Sequence, residues 1–400
     1  MKLHYDAETE RFREELRAWL AENQPSLEEM QRDPWVSSGH IPDWARAWQR
    51  RLFDAGWLVP GWGPELGGRN ATPVQQLVYF EEMARIRAMR SCNPQGLTII
   101  APSIRDYGTP EQQDRYVLPT LRAEITWCLG MSEPGAGSDL ASLATRAEPH
   151  DEGFVVTGQK VWTSGAAEAD LCFCFVRTDP DAPKHRGISV LIIDMRSPGI
   201  DVRPMPHLTD RERADFNEVF LDGVVVPAEN LVGELNHGWA ISAGSLAHER
   251  GMLWTVQAAR LETMLDHLRG VADQPGPDGA RLGESASFRD RFAALYVDIH
   301  ALKYMGYRGF AKFARGEAAP EHSVLKLVGS ELEQELCLFA SEALGVEALD
   351  VAFAGFGVDE SEHAPWARLY LQSFGNTIAG GTSEIQRNII AQRVLGLPRR

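Results

Sequence analysis

The sequence contains no apolar run near the roughly 20 residues that a membrane-spanning helix needs, and no CxxC pair. Its five cysteines, at 92, 128, 172, 174 and 337, are odd in number and unpatterned, so no disulfide framework and no metal site is expected. Basic excess is missing as well. Lys and Arg number 40 against 56 Asp and Glu, and the formal charge of −16 excludes an extended nucleic-acid surface. It leaves room for an anionic cofactor, because phosphates can be held by backbone N–H groups and a few arginines. The opening residues Met1-Lys2-Leu3-His4-Tyr5-Asp6 run straight into charge without the apolar core of a secretion signal, so a soluble, cytoplasmic protein is expected. There is no internal repeat and no low-complexity tract.

What is present is ordinary globular composition, 44% hydrophobic and 9% aromatic over 400 residues, long enough for two or three domains. The first part reads as helices. Phe12, Leu16, Trp19 and Leu20 follow one buried stripe, and Trp44, Trp48 and Leu52 repeat it. Gly61-Trp62-Gly63-Pro64 and Gly67-Gly68 break the chain before another helix near 72–87. Thr109-Pro110-Glu111-Gln112 has the N-cap, the proline at the first helical position and the glutamine of a capping box. Near Ile125 the character changes. Segments 154–162, 170–176, 187–194, 200–204 and 217–221 are short, rich in β-formers and separated by Gly, Pro and Asp turns. Cys172 and Cys174 alternate in one of them and share a strand face. From about Gly238 the helical pattern returns, with one loop around 274–279. The expected fold is α+β and multidomain: an N-terminal α-helical domain (1–124), a central small antiparallel β-barrel or sheet domain (125–234) and a C-terminal α-helical domain (235–400).

The most informative stretch is Trp127-Cys-Leu-Gly-Met-Ser-Glu-Pro-Gly-Ala-Gly-Ser-Asp139. A dinucleotide fingerprint fails here, since the third glycine of G-x-G-x-x-G would fall on Leu140 and no βαβ unit surrounds it. What remains is a β-run ending in a Gly-rich turn that exposes Ser132, Ser138 and backbone N–H groups. Taken alone it reads as a surface loop.

As a string, however, it resembles the acyl-CoA dehydrogenase family, and so does almost the whole chain. Residues 62–68 (Trp-Gly-Pro-Glu-Leu-Gly-Gly) and 107–112 (Tyr-Gly-Thr-Pro-Glu-Gln) are similar to its N-terminal signatures. Ser132-Glu-Pro-Gly-Ala-Gly-Ser-Asp139, Gly158-Gln-Lys-Val-Trp-Thr-Ser164 and Gly381-Thr-Ser-Glu-Ile-Gln-Arg387 follow in order. The resemblance implies a C-terminal four-helix bundle and FAD between it and the β domain. It implies that Leu129, Met131 and Ser132 line the isoalloxazine, with Trp162 over one ring face and Ser164 bonding near N5. Thr382 and Glu384 would approach from the bundle, and Ser138 would help bind coenzyme A. A flavin needs such a wall of apolar groups with donors at the edge that gains charge.

The implied reaction takes an α-proton from an acyl-CoA thioester while a hydride leaves Cβ, which needs a carboxylate base. In many members that glutamate precedes the Gly-Thr of the last motif, where this chain has Gly380. A subset resembling isovaleryl-type enzymes carries it on the first C-terminal helix, matching Glu249 beside Arg250, with Arg250 near the CoA or the carboxylate. Gly380 keeps the backbone N–H that polarises the thioester carbonyl, and its missing side chain suits a bulky or branched acyl group. Family tetramers also complete each FAD site from a neighbouring subunit. At the matching positions this chain has Gly279 for an arginine, Glu342 for a glutamine and Val346 for a glycine, with Arg281 as a substitute cation. These losses resemble bacterial α2β2 acyl-CoA dehydrogenases of steroid side chains, in which a second homologous subunit supplies the missing contacts. A homotetramer, a non-catalytic subunit and a flavin oxidase on the same fold are the alternatives, and the family's usual acceptor is an electron-transfer flavoprotein.

Overall fold

In a computed structural model the described residues are 5–33, 40–86, 90–208, 214–276, 279–315, 321–349, 352–354 and 363–398. The helices are α1 (Ala7–Asn23), α2 (Leu27–Arg32), α3 (Asp43–Asp54), α4 (Pro73–Arg85), α5 (Ala101–Tyr107) and α6 (Pro110–Leu121), then α7 (Gly238–Ala272), α8 (Ala286–Phe313), α9 (Glu321–Leu344), α10 (Trp366–Asn376) and α11 (Ser383–Ile389). Between α6 and α7 lie β1 (Trp127–Gly130), β2 (Arg146–His150), β3 (Gly153–Lys160), β4 (Leu171–Arg177), β5 (Ile188–Asp194), β6 (Ile200–Met205), β7 (Phe216–Pro227) and β8 (Leu231–Val232). A short hairpin, β9 (Ala352–Ala354) and β10 (His363–Pro365), follows α9. This is the expected sequence of helices, sheet and helices.

The chain divides into two compact units that do not follow sequence order. One comprises Met1–Leu27, Ala71–Met89 and Arg250–Arg400, the other Glu28–Asn70 and Arg90–Glu249. Helix α7 contributes to both.

The second unit is built on the sheet, ordered β6-β7-β3-β2-β4-β5-β8 with β1 added to β4. Most pairs are antiparallel as expected, but β1 runs parallel to β4, and Arg146 of β2 bridges Arg177 of β4 in parallel. The sheet is therefore mixed. Strands β4 and β5 are buried on both faces, which explains their unbroken apolar runs. Cys172, Cys174 and Val176 pack with Cys128, Leu191 and Val219 on one face, confirming the shared strand face of the two cysteines. All five cysteines are free and buried, and neighbouring thiols together with burial hold Cys172 and Cys174 well above the ordinary thiol range. Strand β7 runs on past Leu221, where the expected segment ends, through a register shift against β3 at which Gly223 takes a φ of +65°. The start of β1 is fixed by Asn93, whose side chain accepts from Trp127 N–H at 2.9 Å and donates to Trp127 O at 2.8 Å.

The first unit is helical. Leu261, Leu265 and Leu268 of α7 meet Leu295 and Ile299 of α8 and Leu336 of α9 in one core that also takes in Leu77 of α4. Both predicted helix starts on the N-terminal side carry reciprocal capping boxes, Thr72 with Gln75 in this unit and Thr109 with Gln112 in the other. Polar groups then join α1 and α4 to the bundle. Glu81 accepts from Tyr307 Oη of α8 at 2.6 Å and from Arg13 of α1 at 3.3 Å. Glu82, nearly buried, accepts from Arg17 at 2.7 and 2.8 Å and from Arg85 at 2.9 Å. Burial pushes the Glu82 carboxyl up, but the bonds and charges of Arg17 and Arg85 outweigh it and hold the group below the ordinary carboxylate value.

Since its folded pKa is depressed, Glu82 contributes stability that is complete above the unfolded carboxylate value and is lost as pH falls through the folded one. We expect Glu82→Gln to lower urea-unfolding stability by about 2–3 kcal/mol at neutral pH, with the gap to the parent closing below about pH 4. A gap that stays constant down to acid pH would contradict the ionised role of Glu82.

Candidate functional site

In the sheet unit, the Gly-rich turn and the end of β3 are held together by one buried ion pair. Glu133 and Ala136 close the turn with two reciprocal backbone bonds of 3.0 Å, leaving Pro134 and Gly135 at the exposed tip. Lys160, at the end of β3, is 1% exposed and donates to Glu133 Oε1 at 2.8 Å and to Met131 O at 3.2 Å. The glutamate's other contacts are the backbone N–H groups of Thr145, 2.9 Å from Oε1, and Ala144, 2.6 Å from Oε2. Desolvation raises the Glu133 carboxyl, but Lys160 and these donors outweigh it and the group stays below its ordinary value. One residue on, Val161 N–H donates to Ser132 O at 2.9 Å. The two motifs are thereby locked side by side, with Leu129, Met131 and Ser132 half-buried along one edge.

Trp162 follows directly. Its φ is +58°, a region that costs a residue with a Cβ about 1–2 kcal/mol. The strand predicted to run through it ends two residues earlier for that reason. The same backbone turn leaves the indole 59% exposed, an unusual state for tryptophan, with its edge against Phe216 at 5.8 Å between centroids. Beyond it the chain is pinned to β7: Thr163 N–H donates to Asn217 O at 3.0 Å, and Thr163 O accepts from Asn217 N–H at 3.1 Å and from its Nδ2 at 3.0 Å. Backbone strain of this kind, held in place by a buried partner, is concentrated at functional sites. Ser164 is half-buried beside it, and Ser138 lies exposed past the turn.

In the helical unit, Gly380 and Gly381 have φ of +67° and +98°. A Cβ on Gly380 would stand in open space, with Lys326 Cε at 4.0 Å as its nearest neighbour. Thr382 caps α11, accepting from Ile385 N–H at 3.2 Å, and Glu384 sits in the first turn. Glu384 is held below the ordinary carboxylate value by its own backbone N–H and by Thr382. Gln386 is buried and donates to Gly380 O at 3.0 Å.

Glu249 and Arg250 lie on α7, but their side chains, with all those of 243–254, fall outside the described residues. The positions compared with a neighbour's contribution can be described. Gly279 has a φ of +81° with nothing near its Cβ direction, Glu342 is paired with Arg291 at 2.6 Å, and Val346 is 79% exposed. Arg281 is exposed and makes no ion pair among the described residues. No group of His, Cys, Asp or Glu among the described residues could hold a metal ion.

Sequence reasoning singled out Trp162, Ser132 and Gly380 but passed over Glu133, Lys160, Asn217 and Lys326. The one signal for the first pair was that both sit inside the quoted motifs.

Three family profiles match in order: acyl-CoA dehydrogenase, N-terminal domain, at residues 6–124, middle domain at 128–224 and C-terminal domain at 236–395. The chain is 35% identical over 407 residues to acyl-CoA dehydrogenase IpdE1 of Mycolicibacterium smegmatis, covering 98% of each. Among solved structures it is similar to a chain of the ChsE4-ChsE5 complex of Mycobacterium tuberculosis, at 31% identity, 100% coverage of both and a TM-score of 0.83. It is equally similar to the Tcur3481-Tcur3483 steroid ACAD, at 30% identity, 100% coverage of both and a TM-score of 0.83.

The geometry makes a direct test available. Lys160→Met strands a buried carboxylate, so unfolding stability should fall by about 3–5 kcal/mol, and adding Glu133→Gln should restore part of it. Strictly additive losses in urea unfolding would mean the pair is not coupled.

Proposed function

The chain belongs to the acyl-CoA dehydrogenase family of FAD-dependent oxidoreductases, and from that premise we propose that it oxidises the Cα–Cβ bond of a bulky acyl-CoA with Glu249 as the base. The residues fit the cofactor: Trp162 offers an exposed aromatic face, Ser132 lies next to it through the Val161 bond, and Met131 is carried by the same turn. FAD, when bound, supplies the acceptor for the hydride that leaves Cβ. Leu129, Met131, Ser132, Trp162 and Ser164 would shield that acceptor from water, and Thr382 and Glu384 are further proposed FAD contacts. Glu249 takes the α-proton, so that one C–H bond yields a proton to its carboxylate, the other a hydride, and a Cα=Cβ bond forms. Gly380 N–H polarises the thioester carbonyl as negative charge develops on its oxygen. Arg250 and Ser138 hold the coenzyme A portion.

The observation that carries this reading is the open glycine turn at 380, which has no carboxylate to offer where the family resemblance would put one. The same open space supports a bulky acyl group, and the similarity to a steroid ACAD supports a steroid side chain as that group. An electron-transfer flavoprotein is the proposed acceptor and the cytoplasm the proposed location. No helix among the described residues is long and apolar enough to cross a membrane. We place the sequence domains at 1–124, 125–234 and 235–400.

A second homologous subunit is the proposed partner, in an α2β2 assembly. Gly279, the paired Glu342 and the exposed Val346 offer a pyrophosphate no cation, and the likeness to a two-component ChsE4-ChsE5 complex supports a partner that does.

Glu249→Gln should leave FAD content and unfolding unchanged yet slow substrate-dependent bleaching of the flavin by several orders of magnitude. A fall of less than about tenfold would remove Glu249 from the role of base. The partner is tested by counting FAD. Co-expression with the homologous subunit should yield about one FAD per two chains, since each lost charge-assisted contact is worth roughly 1.5–3 kcal/mol to the chain alone. A homotetramer holding one tight FAD per chain would overturn the partner, and Arg281 would become the substitute contact.

A further inference from the structure

Two consecutive glycines are the least ordered backbone a chain can carry, yet a donor that polarises a reacting carbonyl must be held still. The Gly380-Gly381 turn is restrained from outside. Gln386 Nε2 on α11 donates to Gly380 O at 3.0 Å, and Lys326 Nζ on α9 donates to Gly381 O at 2.7 Å. On the N-terminal side Ala379 N–H donates to Gly375 O at 2.9 Å, and on the C-terminal side Ser383 N–H donates to Thr377 O at 3.1 Å. Gln386 is six residues from its carbonyl, a local clamp that any copy of this turn would bring along. Lys326 lies 55 residues away on another helix and ties the turn to the bundle. Its bond is charge-assisted and the shorter of the two, in a class roughly twice as strong as neutral bonds.

We propose that Lys326 is a positioning residue for the reaction: by holding Gly381 O, two peptide units beyond the Gly380 N–H, it restrains the glycine turn that presents that N–H to the thioester oxygen. This rests on the reading of Gly380 N–H as the polarising donor. Negative charge on that oxygen is larger in the transition state than in the bound substrate, so a loosened turn slows turnover more than it weakens binding.

The test uses the FAD-loaded complex with Lys326→Met and Lys326→Arg. It reads kcat, KM, exchange of the thioester α-proton with deuterated water, FAD content, and amide hydrogen exchange over 377–387. For Lys326→Met we expect kcat and α-proton exchange to fall tenfold to a hundredfold, KM to stay within about threefold, and the amides of the turn to exchange faster, with FAD retained. Lys326→Arg should recover much of the loss. Should Lys326→Met not assemble, Lys326→Gln, whose donor sits one bond too short to reach Gly381 O, is read by the same criteria. If the amides of the turn are unchanged, the proposal for Lys326 is overturned and the role of Gly380 is untouched. If they loosen while kcat and α-proton exchange hold within about threefold, the role of Gly380 falls and the proposal with it.

Discussion

Withdrawing an ammonium and a carboxylate from water together is costly unless every lone pair and proton finds a partner. Glu133 and Lys160 come close to that condition: the carboxylate accepts from the ammonium and two backbone N–H groups, and the ammonium donates to Glu133 and to the Met131 carbonyl. The pair sits between a glycine-rich turn that would otherwise sample many conformations and a strand end that must hold a tryptophan in a strained backbone. Removing either charge strands the other, so the turn and the strand end are obliged to form together. The exposed face of Trp162 and the half-buried edge at Met131 and Ser132 depend on that obligation.

The two units reach order by different routes. In the sheet unit the constraint is electrostatic and buried, whereas in the helical unit the Gly380–Thr382 segment is ordered by donors arriving from two helices onto consecutive carbonyls. Each solution suits its surroundings. A dry sheet interior strengthens an ion pair, while a half-exposed turn is better held by hydrogen bonds that survive contact with water.

How much of this could be read from the residues follows from the range of each interaction. Capping boxes at Thr109 and Thr72 are local, and Thr109 was legible in four residues. The apolar stripes of α1 and α3 and the alternation of Cys172 and Cys174 needed nothing beyond periodicity. The motif strings located Trp162 and the turn, but the positive φ that exposes the indole was not visible in them. Lys160 looked like any strand lysine, a type that is almost never fully buried, and its partner lies 27 residues away. The parallel pairings of β1 and β2 with β4 were equally hidden, because register between distant strands is decided by packing.

Unit membership has a consequence for synthesis on the ribosome. Helix α4 leaves the exit tunnel early, but Glu81 meets Tyr307 only after another 226 residues, and Leu77 joins a core made largely by α7, α8 and α9. At typical translation speeds of about 5–20 residues per second, α1 and α4 wait roughly 10–50 seconds for their partners. The sheet unit, begun at Glu28 and finished at Glu249, is completed within that interval. Nascent chains therefore carry a finished sheet unit while two amphipathic helices still lack their packing surface, a period in which chaperone occupancy or early termination would act on α1 and α4 first.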